Sequence, residues 1–359
     1  MTSHSRLLIL FSPLYRLAVQ TRLKLYKARL LKTRRLPHPV ISVGNLTTGG
    51  TGKTPLVMYL AQTLKRTGLD PAILTRGYKG KAEHTGRLVS DGSRLLTTPE
   101  ECGDEAYLMA TRLEGVPIAA GKNRYQSARL VPGFEENRNL VFILDDAYQH
   151  LQLFRNLDIL VLDATDPLGD ARLLPAGRLR EPLTALERAD TIIVTRAHMA
   201  FDQEALETEI RRRNRVARVS YFYHDAVGWV ELRTGAVYPV RHLFHKRVLA
   251  VSGIGNPAVF LQDLNHYQID VLENIEFRDH HHFRPHDLER IFNTARRLQA
   301  EAIVTTEKDA ARLPMPADHT TPVYALRIEA RPEDPEEFDK ELIEEVRGLF
   351  TNGDRKIHG

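Results

Sequence analysis

One stretch constrains this chain more than any other: Val43-Gly44-Asn45-Leu46-Thr47-Thr48-Gly49-Gly50-Thr51-Gly52-Lys53-Thr54-Pro55. An apolar, strand-like run, Pro39-Val40-Ile41-Ser42-Val43, leads into it, and a helix-like run, Leu56-Val57-Met58-Tyr59-Leu60-Ala61, leaves it. Strand, glycine-rich loop, Gly-Lys-Thr and helix is the sequence form of a phosphate-binding P-loop. Glycines let consecutive backbone N–H groups point at phosphate oxygens, and the helix N-terminus adds partial positive charge. Lys53 would reach the β- and γ-phosphates, and the Thr54 hydroxyl is placed to ligate Mg²⁺. The pattern departs from the usual one at Thr47, where a glycine is customary. A β–α turn that binds nothing would leave Lys53 and Thr54, directly after Gly52, without explanation.

The rest of the chain has the texture such a loop needs. Pro71-Ala72-Ile73-Leu74-Thr75, Leu88-Val89-Ser90, Val116 to Ala120, Leu140 to Leu144, Leu157 to Asp163 and Thr191 to Thr195 read as strands. Helical segments are expected from Pro55 to Thr67, from Gly103 to Leu113 and from Asn123 to Leu130. Apolar strands alternating with helices predict an α/β fold with a mostly parallel sheet and helices on both faces. Ligands of such sheets sit at the carboxyl ends of strands, where the P-loop, Arg76, Asp145 and Asp146 all fall. From Val219 the texture changes: Tyr221-Phe222-Tyr223, Gly228 to Leu232 and Ala236 to Val240 read as strands joined by glycine-containing turns, a linker ribbon. A second β/α series follows, with strands at Arg247 to Val251, Ile269 to Leu272 and Ala302 to Thr306 and a helix from Leu288 to Leu298. The segment from Arg331 to Asp339 is charged and expected at the surface. The resulting division is 1–35, a basic terminal segment; 36–218, a nucleotide-binding domain; 219–242, the ribbon; and 243–359, a smaller α/β domain.

Charge is distributed unevenly. Twelve lysines and arginines precede the first acidic residue, Asp70, and the remainder carries 38 basic against 46 acidic residues. The same basic end holds Leu7 to Phe11, Leu14, Tyr15, Leu17, Leu25 and Tyr26. Its longest uncharged run, Leu7 to Tyr15, is interrupted by Pro13 and is far shorter than the ~20 residues that span a bilayer. No small-residue cleavage site follows it, as a secretory signal would require. A basic amphipathic segment suits a membrane interface; a helix packed on the protein's own core is the alternative. No nucleic-acid-reading motif accompanies the charge. The single cysteine, Cys102, forbids an intramolecular disulfide and fits a reducing compartment.

Several groups carry candidate chemistry. Asp145-Asp146, after an apolar strand, reads as a Walker-B-like pair that holds Mg²⁺ opposite Thr54. Asp104 opens a helix, where a capping role competes with a catalytic one. The loop Pro175 to Pro182 offers Arg178 and Arg180 for phosphate and Glu181 for a metal. In Phe277-Arg278-Asp279-His280-His281-His282-Phe283, regular zinc-ligand spacing is missing, so a histidine that orients an acid or base is the better reading. Gly253-Ile254-Gly255-Asn256-Pro257 lacks the third glycine of a dinucleotide fingerprint and reads as a strand-to-helix turn.

In order, Gly44-Asn45-Leu46 to Pro55, Arg76-Gly77-Tyr78, Gly103-Asp104-Glu105, Asp145-Asp146-x-x-Gln149-His150, Gly177-Arg178-Leu179-Arg180-Glu181, Asp279-His280-His281 and Thr306-Glu307-Lys308-Asp309 resemble the tetraacyldisaccharide 4′-kinases of lipid A biosynthesis, over nearly the whole chain. The resemblance implies transfer of the γ-phosphate of ATP, with Mg²⁺, to the 4′-hydroxyl of a tetraacylated disaccharide 1-phosphate at the cytoplasmic face of the bacterial inner membrane. It implies two α/β/α sandwich domains, the first with a P-loop kinase fold, joined by a β ribbon. It makes Asp104 the general base, oriented by His280 with His281 the other candidate, and Lys53 a catalytic cation. The nucleotide would be held by Asn45, Thr48, Gly49, Gly50, Thr51, Gly52, Lys53, Thr54, Arg76 and Arg180, and the metal by Thr54, Asp145, Asp146 and Glu181. No obligate protein partner is evident. Two departures stand out: Ala147 where the family has Gly, and Asn123 before Arg124 where it has Asp. A deviant-Walker ATPase switch is the first rival, but its signature lysine position holds Thr48; a nucleotide-dependent membrane adaptor is the second.

Overall fold

The computed structural model describes residues 3–199, 202–315 and 320–351, with side chains from residue 11 onward. Among the described residues thirteen strands form one sheet: β1 Val40–Asn45, β2 Asp70–Thr75, β3 Arg87–Ser90, β4 Ile118–Ala120, β5 Leu140–Leu144, β6 Leu157–Asp163, β7 Thr191–Thr195, β8 Arg218–Glu231, β9 Val237–Tyr238, β10 Arg247–Ser252, β11 Asp270–Glu276, β12 Ala302–Thr306 and β13 Val323–Pro332. Their order is β11-β10-β12-β13-β8-β7-β6-β1-β5-β2-β4-β3, with β9 paired to β8. The central strands β1, β5, β6 and β7 are buried along their whole length. Such burial is what their uninterrupted apolar runs demand when helices cover both faces. β1 lies between β5 and β6. The chain therefore leaves β1 toward one side of the sheet and later returns to the other, and the loop after β1 opens at that topological switch.

The expected ribbon is built differently from the sequence reading. Tyr221-Phe222-Tyr223 and Gly228 to Glu231 belong to one unbroken 14-residue strand, and the turn comes only after Glu231. Gly228 sits inside β8 because a Cβ there would lie 2.6 Å from the Tyr238 carbonyl oxygen of β9. β8 pairs parallel with β7 through Arg218–Phe222 and antiparallel with β13 through Phe222–Glu231, so the sheet runs continuously from one half to the other. β13 itself escaped the sequence reading. Its Arg327, Glu329 and Arg331 disguise it, and each is paired, with Glu307, Arg112 and Asp225 respectively.

The helix Pro335–Thr351 was also missed. It buries Phe338, Leu342 and Val346, one turn apart, in the apolar cluster of the first half, the spacing of a single helical face. Phe222 is the keystone there: fully buried, its ring meets Tyr59 at 5.6 Å and Phe338 at 4.9 Å between centroids. The N-terminal segment is a helix, Ser3–Lys27, which continues through Pro13; the side chains of Leu7 to Leu10 lie outside those described. Among the described residues no helix is long and apolar enough to cross a membrane. Truncation of a buried aromatic of this kind costs about 3–5 kcal/mol. Phe222→Ala should lower the unfolding free energy by that amount in a urea titration, and a loss below about 1 kcal/mol would show that the two halves do not share this core.

Candidate active site

The phosphate loop forms as the motif requires. Gly49 and Gly52 take φ of +113° and +73°, and Lys53 opens the helix Lys53–Arg66. Gly52 is irreplaceable on two counts: its left-handed backbone, and the His224 ring that occupies the space of a Cβ. Thr47 has no positive φ and pairs in a short bridge with Leu179, so the loop does not need the customary glycine there. Lys53 Nζ donates to Asn45 Oδ1 at 3.1 Å and to Thr51 Oγ1 at 3.4 Å, and lies 3.3 Å from Asp146 Oδ1. Thr48 N–H donates to the Arg178 carbonyl, which ties this loop to the Pro175–Pro182 loop.

Asp145 and Asp146 directly follow β5, beside Lys53. Burial, with the charges of Glu105 and Asp146 added, pushes the Asp145 carboxyl up, against Lys53 and the Thr75 hydroxyl that donates to it at 3.1 Å. Burial also works on Asp146, but Lys53 and Arg180 outweigh it and hold that carboxyl far below its ordinary range. Arg180 Nη1 binds both Asp146 oxygens, at 2.9 and 3.0 Å. Asp146 itself takes φ +47°. The left-handed residue of this turn is thus Asp146 and not Ala147, which explains why alanine is tolerated where glycine is customary. Glu181 is buried; one oxygen accepts from Arg188 at 2.6 Å, and the other, Oε1, has no partner among the described residues. Thr54, Asp145, Asp146 and Glu181 all line one cleft of about 900 Å³. No three carboxylate, histidine or cysteine side chains among the described residues gather closely enough to hold a cation alone.

Asp104 is the first residue of the helix Asp104–Arg112, with Gly103 at the cap position. Its oxygens lie 3.1 and 3.0 Å from His280 Nδ1, and Arg312 Nε is 3.4 Å away. Burial alone would raise its pKa, but the His280 hydrogen bond and the charges of Lys308 and Arg312 prevail and lower it. Lys308 Nζ is 3.4 Å from His280 Nε2 and 3.1 Å from Glu105 Oε1. An ammonium at Nε2 leaves Nδ1 as the proton donor to Asp104. The partner of Asp104 is therefore His280. His281 turns away, bonding Asp287 at 2.9 Å and stacking on Phe277, while His282 lines the same small pocket as Asp104 and His280.

The remaining candidates fall around the same cleft. Arg76 lines it and is held by Glu83 at 2.7 Å. Arg124 is buried, donating to the carbonyls of Gly121 and Asp145; Asn123 caps its short helix by accepting from Gln126 N–H, a task an aspartate would perform equally. The N-terminal helix reaches the cleft as well: Tyr15 donates to the Arg180 carbonyl at 2.8 Å, and Arg22 to the Gln149 carbonyl at 2.9 Å. Sequence reasoning missed Arg196, which braces the loop from behind, and Lys308 and Arg312 as partners of Asp104. Only the quoted Thr306-Glu307-Lys308-Asp309 motif pointed toward the last group.

Comparison with known proteins identifies the family and the fold. Residues 4–347 match the family model described as tetraacyldisaccharide-1-P 4′-kinase. The chain is 38% identical over 341 residues to a tetraacyldisaccharide 4′-kinase of Halothermothrix orenii, covering 90% of this chain and 88% of the relative. It is 41% identical over 310 residues to one of Pelobacter propionicus, covering 86% and 82%. Among solved structures, that of LpxK from Aquifex aeolicus in complex with ATP superposes with a TM-score of 0.74 at 34% identity, covering 95% of this chain and 99% of that one.

Gly52→Ala should reduce nucleotide affinity by at least tenfold, because a left-handed alanine costs about 1–2 kcal/mol and its methyl displaces His224. Equilibrium titration with a fluorescent ATP analogue measures this; unchanged affinity would contradict the loop geometry described.

Proposed function

The chain belongs to the tetraacyldisaccharide-1-P 4′-kinase family, and from that premise we infer how its own residues carry out the transfer of a phosphoryl group from ATP to the 4′-hydroxyl of a tetraacyldisaccharide 1-phosphate, giving lipid IVA. The observation that carries the reading is the carboxylate of Asp104, held by His280, opening onto a pocket next to the cleft that Lys53 and the phosphate loop line. Phosphoryl transfer depends on positioning and charge neutralisation, and a carboxylate near the acceptor hydroxyl can take its proton late in the transfer. Asp104 acts as that base. His280 is the positioning residue, and its Nδ1–H keeps the carboxylate oriented and ionised. Lys53 and Arg180 face the γ-phosphate end of the nucleotide; Asn45, Thr48 to Thr54 and Arg76 complete its cradle.

The donor set suits Mg²⁺. It consists of hard oxygens, one of them the buried Oε1 of Glu181, which has no partner among the described residues. The scarcity of clustered protein ligands suits a cation bound largely by phosphates. Thr54, Asp145, Asp146 and Glu181 would hold it, and when bound it neutralises charge on the transferring phosphate. Residues 36–218 supply the nucleotide side, the segment from 243 the His280 side and 219–242 the connection, with the helix Pro335–Thr351 packed back on the first core.

A four-chain acceptor keeps its tails in the bilayer, so the enzyme must work at the membrane surface, on the cytoplasmic face where ATP is found. The N-terminal helix supports this. Phe11, Leu14 and Leu17 are 52, 63 and 61% exposed, while Tyr15, Val19 and Arg22 line the cleft. Its basic residues match anionic headgroups.

Three outcomes test the reading. Asp104→Asn should lower kcat for lipid phosphorylation by about 10²–10⁴-fold with ATP affinity little changed; an unchanged kcat would remove Asp104 from the reaction. His280→Gln takes away the hydrogen bond that opposes burial, so the Asp104 pKa rises and the acid limb of the kcat profile should move to higher pH. A limb at the wild-type pH would leave His280 without that role. Replacing Phe11, Leu14 and Leu17 together with serine should reduce sedimentation with anionic liposomes, and full retention would place the membrane contact elsewhere.

A further inference from the structure

Lys308 comes from the short helix Glu307–Ala310, which directly follows β12. That turn is pinned on its own side. Thr306 Oγ1 accepts from the Asp309 N–H at 3.1 Å, and the buried Asp309 carboxylate takes the Gly253 N–H at 2.9 Å and Arg312 Nη2 at 2.7 Å. The lysine side chain leaves this fixed base and reaches the first half, where its ammonium meets Glu105 Oε1 at 3.1 Å. Within the second half it lies 3.4 Å from His280 Nε2 and 3.7 Å from Asp279 Oδ1. Burial works against this ammonium, but the charges of Glu105, Asp104 and Asp279 outweigh it and raise its pKa, so it stays charged.

The His280 imidazole stands between two carboxylates: Asp104 Oδ2 is 3.0 Å from Nδ1, and Asp279 Oδ2 is 3.8 Å from Nε2. Around them, Tyr78 meets the ring with centroids 5.3 Å apart, Lys79 Nζ donates to the Asp279 carbonyl, and Arg312 faces Asp104. A carboxylate at each nitrogen favours a proton on each, which is the imidazolium, or lets a single proton sit at either end. The ammonium breaks that symmetry. It carries three donors and no acceptor, so it bonds Nε2 only when Nε2 is bare, and its charge opposes a second proton on the ring. Asp279 is 41% exposed and beyond hydrogen-bond distance of Nε2, so the nearer ammonium prevails.

We propose that Lys308 is a second positioning residue of the transfer centre: its ammonium holds His280 neutral with the proton on Nδ1, and so keeps a hydrogen bond on the Asp104 carboxylate. The inference rests on the reading of Asp104 as base with His280 as its partner, and adds what decides the state of that partner. Glu105 neighbours Asp104 at the same helix start. One lysine therefore fixes the base's helix and the base's partner together.

The test is a long-range ¹H–¹⁵N correlation spectrum of the full chain labelled with ¹⁵N-histidine, with the His280 signal assigned by its loss in His280→Gln. Wild type should show Nδ1 protonated and Nε2 bare. Lys308→Met, which keeps the apolar stem and removes the charge, should shift the signal toward a protonated Nε2, and Lys308→Arg should restore the wild-type pattern. A protonated Nε2 in wild type, or an unchanged signal in Lys308→Met, would overturn the assignment; the wild-type spectrum retains that power even if the variant proves unstable. In turnover, Lys308→Met removes a charge that lowers the Asp104 pKa, so the acid limb of the kcat profile should move to higher pH. At neutral pH kcat should fall at least about tenfold, the scale of one hydrogen bond to a charged group, with ATP affinity little changed. A loss equal at every pH would leave Lys308 a purely structural role and refute the proposal. The spectra need no lipid acceptor. A chain whose His280 signal obeys Lys308 but which transfers nothing to lipid would refute the kinase reading and leave this assignment intact.

Discussion

The proposed reaction centre depends on a charge cluster that neither half of the chain could build alone. Asp104 and Glu105 come from a helix start in the first half; His280, Lys308 and Arg312 come from the second. Each of these charges is costly to bury singly, and together they neutralise one another. Next to them, Glu307 clamps Arg112 at 2.7 Å and Arg327 at 2.9 Å, so the interface is braced beside the site and not only through it. The arrangement explains why a carboxylate as buried as Asp104 stays ionised: the nearby cations and the His280 N–H outweigh desolvation.

A second consequence is the shape of the cleft. The continuous sheet carries the chain through β8 and β13 from the phosphate loop to the His280 loop, and the helix Pro335–Thr351 returns to pack on the first core. The halves are linked twice, by strands and by this helix. Motion between them can change the cleft without separating its walls, which suits an enzyme that must admit ATP and a lipid headgroup and then exclude water.

Much of this was legible in the sequence where local chemistry is strong. The central strands, the phosphate loop and the carboxylates Asp145 and Asp146 follow from apolar runs that end in glycine or acid. What was illegible depends on distant partners. β13 looks charged until Glu307, Arg112 and Asp225 are seen opposite its arginines and glutamate. The choice between His280 and His281 turns on the direction of one backbone segment, where His280 takes φ +58°. The tolerance of Ala147 became clear only when the left-handed residue proved to be Asp146. Arg196 belongs to no motif, because its meaning lies in the loop it braces.

The central claim is that Asp104 and His280 act as one unit across the interface. A double-mutant cycle in single-turnover transfer of labelled γ-phosphate from ATP to tetraacyldisaccharide 1-phosphate in mixed micelles tests it most directly. With Asp104→Ala, His280→Ala and the double variant, the account predicts a double variant about as slow as Asp104→Ala alone, since a positioning residue has nothing left to position. Losses that multiply independently would contradict the account and assign the two residues separate tasks.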